Sequence, residues 1–86
     1  MSIAPSPVTA LNRAVALGEV QGPQEALTTV DRLDLGDYYL FHAIRADLLR
    51  RLGRNSEAKR AYDAAIARAE NAAERSFLQR RRAGLA

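Results

Sequence analysis

Apolar residues recur along this chain at the three- and four-residue steps of a helix, in five successive stretches. Val8, Leu11 and Val15, with Ala10, Ala14 and Leu17 beside them, predict a first helix over about residues 7–20. Ser6 before Pro7 supplies an N-cap and a proline at the first helical position. Gly22-Pro23 ends this helix and opens a short second one, with Glu25 in its first turn and Ala26, Leu27, Val30 and Leu33 inward. After the loop LDLGD, Asp37 reads as the N-cap of a third helix running to about Leu52, with Phe41, Ile44, Leu48 and Leu52 at helical spacing. Gly53 suits the left-handed residue that closes it. Asn55 reads as the cap of a fourth helix with Ala58, Ala61, Tyr62, Ala65, Ile66 and Ala69 on one face. Asn71 followed by Glu74 resembles a capping box and introduces a fifth, carrying Ala73, Phe77, Leu78 and Leu85. The expectation is an all-α fold of five helices.

The first two helices repeat in the next two. A shift of 32 residues carries Arg13, Ala14 and Leu17 onto Arg45, Ala46 and Leu49, carries Glu25 and Ala26 onto Glu57 and Ala58, and sets Val30 on Tyr62. This period is close to that of tetratricopeptide arrays, roughly 34 residues. The implied architecture is two tetratricopeptide-like helical hairpins plus a C-terminal capping helix, a right-handed α-solenoid in type. Residues 7–86 would form the single domain behind a tail of residues 1–6. Ala14, Ala26, Ala46, Ala58 and Ala65, with Tyr62 and Phe77, are expected at the helix seams, where small side chains allow close approach. Two residues depart from the repeat: His42 stands where a large aromatic is usual and Glu70 where proline is usual.

In such stacks the first helix of each hairpin lines a concave surface. Repeat register places Val8, Leu11, Val15 and Gly18 there from the first hairpin, and Leu40, Ala43, Asp47 and Arg50 from the second. Arg51 and Arg54 lie alongside and would steer a charged partner. Val15 and Asp47 occupy positions where repeats that clamp a peptide carboxylate carry Asn, so that clamp is not expected. An uncovered end at Val8, Leu11 and Val15 would favour pairing with preceding helices or with a second copy.

At 86 residues and 48% hydrophobic, the chain supports one small domain with no room for a large enclosed active site. It has no Cys and only His42, so thiolate sites and disulfides are excluded, and neither a zinc site nor a catalytic triad is legible. Neither enzymatic activity nor a cofactor is expected, and His42 reads as a packing or hydrogen-bonding residue. No apolar run approaches the roughly 18 residues of a membrane span, and MSIAPSPVT lacks the order of a secretion signal, which points to the cytoplasm. Residues 1–40 carry two basic and five acidic residues, a net of −3, whereas residues 41–86 carry eleven and five, a net of +6. This asymmetry orients encounters with charged partners. Arg80-Arg81-Arg82 cannot form one patch, because consecutive helical residues point about 100° apart. With no stacking aromatics interleaved, direct nucleic-acid contact by the basic half is the weaker alternative to contact with an acidic protein surface.

The segments SPVTALNRAVALGEVQGPQEAL and FHAIRADLLRRLGRNSEAKRAYDAAIARAENAAERSFLQRR carry the combination NRAVA, GP, RADLLRRLGR and N-AER-FL. From about Pro5 to Leu85 this resembles the C-terminal extension of bacterial extracytoplasmic-function (ECF) RNA polymerase sigma factors that bear tetratricopeptide-like repeats. The resemblance implies a regulatory protein-contact module whose partners are the factor's own sigma domains, core polymerase or a regulator. DNA would be reached only through the parent protein, since the regions that read promoters in that family lie before this segment. A generic repeat adaptor is the remaining alternative.

Overall fold

The computed structural model describes residues 6–85. Five helices make up the fold: α1 Pro7–Gln21, α2 Pro23–Asp31, α3 Tyr39–Arg51, α4 Asn55–Arg68 and α5 Ala72–Ala83. There is no strand among the described residues, so the protein is all-α. Apart from Ser6, the expected tail lies outside the described residues. Each helix packs on the next, and α1 also reaches α3, giving a body of 45 × 29 × 17 Å.

Residue chemistry sets the helix ends. Ser6 Oγ accepts from the Thr9 backbone N–H at 3.1 Å and Pro7 takes the first helical position. Gly22, at φ +99°, bends the chain directly into Pro23. At the far end of α3, Gly53 adopts φ +75°. Its N–H donates to the Arg50 carbonyl and that of Arg54 to the Leu49 carbonyl, both at 3.0 Å, closing the helix as a Schellman motif.

Two of the expected caps differ, and a third holds with a different second bond. Asp37 is not the N-cap of α3; the Tyr38 N–H donates to the Leu35 carbonyl at 3.0 Å, so the loop turn persists one residue longer and Tyr38 takes the cap position. Asn55 is the first residue of α4 rather than its cap, because the Schellman closure of α3 leaves Arg54 alone at the junction. Asn71 does cap α5, its Oδ1 accepting from the Glu74 N–H at 2.8 Å, but Glu74 Oε1 accepts from the Glu70 N–H at 3.1 Å instead of returning to Asn71.

The core joins Leu11, Ala14, Ala26, Leu27 and Val30 of the first two helices to Ala46, Leu48, Leu49, Ala58, Ala61, Tyr62 and Ala65 of the next two, with Leu78 from α5. Ala14, Ala26, Ala46, Ala58, Ala65 and Tyr62 therefore lie buried at the seams. Three pairs related by the 32-residue shift are buried together: Ala14 with Ala46, Ala26 with Ala58, and Val30 with Tyr62. The α1–α2 seam is close. A Cβ on Gly18 would come 2.9 Å from Ala26 Cβ, so Gly18 belongs to this contact and not to the expected concave surface. Exposed ion pairs tie successive elements, Arg45 Nε to Asp31 Oδ1 at 2.8 Å and Arg82 Nε to Asp63 Oδ1 at 2.7 Å. At their exposure each contributes at most about 1 kcal/mol.

A cleft lined by the first, third and fifth helices

The helix arrangement leaves an open cleft of about 240 Å³ whose wall is mostly α3. Tyr39, Leu40, Ala43, Ile44, Asp47, Leu48 and Arg51 form one stripe along it, the i, i+3, i+4 spacing of a single helix face. Val15 closes the cleft from α1 and Phe77 from α5. Val15, Leu40, Ala43 and Asp47, read from repeat register as surface residues, and Arg51, read as lying alongside to steer a partner, are thus brought together.

Four others stand differently. Leu11 is fully buried in the core and offers nothing to a partner. By a turn of about 100° per residue it lies about 40° from Val15 and about 60° from Ala14, so the edge of the buried sector falls between Leu11 and Val15. Val8 is exposed near the start of α1 but does not line the cleft. Arg54 is bound to Glu57 at 2.9 and 2.8 Å. This hydrogen bond is the main cause that holds the Glu57 carboxyl below the usual carboxylate range. Arg50 touches the cleft only through Asp47.

Phe77 is the main correction on α5. Expected in a helix seam, it is 48% exposed, because its neighbour Leu78 takes the seam at 1% exposure. One helical step, about 100°, then turns Phe77 into the cleft. Arg81, four residues on, lies over the Phe77 ring at 5.2 Å from its centroid, within cation–π range. The arginine run divides as expected of a helix: Arg82 turns to Asp63, Arg81 to Phe77, and Arg80 is exposed. Sequence reasoning missed Tyr39 and Phe77 as cleft residues and read Ile44 and Leu48 only as helix-face apolars. The 39–43–47–51 spacing on α3 was the available signal for Tyr39.

Asp47 is the one anionic side chain lining the cleft, and both its oxygens are engaged. Oδ1 accepts from Arg50 Nη2 at 2.6 Å and Oδ2 lies 2.9 Å from Arg51 Nε. The hydrogen bond to Asp47 is the largest cause raising the Arg50 pKa above its ordinary value. Arg50 Nε is enclosed and without a partner. At the other end of the stripe, burial and then the Glu74 carboxylate push the Tyr39 phenol upward. His42 is occupied elsewhere, its Nε2 2.7 Å from the Gly36 carbonyl and its ring edge-on to Phe41. Among the described residues no group of three His, Asp or Glu side chains is placed to hold a metal ion.

Fold and site define an all-α chain with an apolar cleft whose charged lining residues, Asp47 and Arg51, lie together toward one end. No protein-family model matches the chain, and no solved structure matches it. An uncharacterized protein of Rhizobium meliloti (strain 1021) is similar, 47% identical over 77 residues covering 87% of this chain. The match spans only 18% of that protein's length. No helix here is long and apolar enough to cross a membrane.

Proposed function

We propose that this chain is a non-catalytic protein-interaction segment of an ECF-type RNA polymerase sigma factor, working in the cytoplasm. Its two hairpins act as tetratricopeptide-like units, and contact with the sigma domains, core polymerase or a regulator sets the factor's activity. The observation that carries the interaction reading is the cleft, where one face each of α1, α3 and α5 meets around an apolar floor. The sigma-factor part is supported by the motifs NRAVA, RADLLRRLGR and N-AER-FL. A relative in which the matched stretch is under a fifth of the length is consistent with a segment serving a larger protein.

Single-round transcription by the full-length protein with core polymerase tests this. Placing a charge on the apolar floor with Leu40→Asp should change transcript yield about tenfold, as expected for a central interface residue. Yield indifferent both to that substitution and to removal of the whole segment would refute the proposal.

A further inference from the structure

The volume and charge of the cleft define the chemistry of its occupant. At about 240 Å³ it falls below the roughly 300–1,000 Å³ of small-molecule sites, which suits one or two side chains of a polypeptide and not a cofactor. Tyr39 and Arg51, twelve residues apart on α3, set its length at about 18 Å, or three turns of a docked helix. Its floor offers Leu40, Ile44 and the exposed ring of Phe77.

Guanidinium groups gather about Asp47 and Phe77. Arg51 Nε lies against Asp47, and Arg81, aligned by the Phe77 ring, makes no ion pair among the described residues. Asp47 holds both Arg50 and Arg51, so a single carboxylate answers two guanidinium groups. Asp47 is one-third exposed, within reach of a competing anion.

We propose that the cleft binds a short acidic amphipathic segment of a partner protein. An aliphatic or aromatic anchor lies between Leu40 and Phe77, and the segment's carboxylates meet Arg81 and displace Asp47 from Arg51. On α5, Glu74 lies about one turn before Phe77 and Arg81 about one turn after it, so acidic residues of the segment favour the Arg81 side of the anchor, which sets the direction in which the segment lies. Asp47 serves as an internal stand-in that holds the guanidinium groups in place until a partner carboxylate takes over. This deepens the protein-contact reading above and rests on it for the class of partner.

A displayed library of random fifteen-residue peptides, selected on the immobilised chain and followed by fluorescence anisotropy of the enriched peptides, tests the proposal. Enriched peptides should be net acidic with an apolar pair. Phe77→Ala should weaken them about tenfold, as removal of a central aromatic anchor does. Asp47→Asn should tighten them about threefold by removing a like charge and releasing Arg51. Circular dichroism of both variants should match the parent, since neither residue is buried. Three results would overturn the proposal: no enrichment, enrichment without acidic bias, or affinities that ignore both substitutions. Displacement of the peptides by duplex DNA at physiological salt would also overturn it, in favour of a nucleic-acid site. The assay contains no polymerase, so peptide binding that survives while transcription ignores the segment would refute the sigma-factor role alone.

Discussion

At the scale of single residues, the smallest side chain sits at a close helix contact. Gly18 faces Ala26 across the α1–α2 seam, where even a methyl group would arrive at 2.9 Å. Alanine here has opposing effects: helix propensity favours it over glycine by about 1 kcal/mol, and overlap with Ala26 costs a similar amount. Gly18→Ala should therefore leave stability nearly unchanged. Gly18→Val adds two further methyl groups without the propensity gain and should destabilise by about 2 kcal/mol. Urea denaturation compares the two directly, and a valine variant as stable as the parent would show that the seam opens freely. The corresponding residue in the second hairpin, 32 positions on, is Arg50. That position carries a long side chain turned to Asp47, so the two hairpins share buried alanines but not the glycine contact.

At the scale of elements, caps and turns decide where the helices begin, and this is where pattern reading succeeded and failed. Removing the Asn71 side chain deletes the 2.8 Å bond to the Glu74 N–H and should cost about 1 kcal/mol. Glu74→Ala should cost less, because its bond to the Glu70 N–H lies outside the helix proper. Thermal melts of the two variants in the reverse order would contradict this account. All five helices were legible because burial recurs with the helical period, and Ser6, Pro7, Gly53 and Asn71 mark ends by local chemistry. The starts of α3 and α4 were not, because turn hydrogen bonds from Tyr38 and Arg54 set them and leave no mark in the side-chain pattern. The same limit applies to the cleft. Adjacent apolar residues such as Phe77 and Leu78 give the period no basis for choosing which faces the seam, and Leu11 and Val15 straddle the edge of a buried sector. Repeat register pointed to Leu40, Ala43 and Asp47 of the α3 stripe, while the contribution of α5 waited on the packing of Leu78 against its neighbours.

At the scale of the whole molecule, helices packed mainly on their neighbours in sequence form a chain of contacts with two ends. Coupling runs from α1 through α2 and α3 to α4 and α5, with the α1–α3 contact as a further link. Stability in such an arrangement is approximately a sum of element and neighbour terms, so it should be highest where a helix is covered on both sides. Four buried side chains anchor α4 and three anchor α3, whereas Leu78 alone is buried from α5. Native-state hydrogen exchange should accordingly give the slowest amides in α3 and α4 and the fastest helical ones in α5, with α1 between. A peptide lying along the cleft would bridge α1, α3 and α5 through Val15, Leu40 and Phe77, and would protect α5 more than any other helix. Uniform protection across all five helices of the free chain would mean that the molecule opens only as one unit. In that case Phe77 is held as firmly as the core, and binding at the cleft would leave the exchange of α5 unchanged relative to α4.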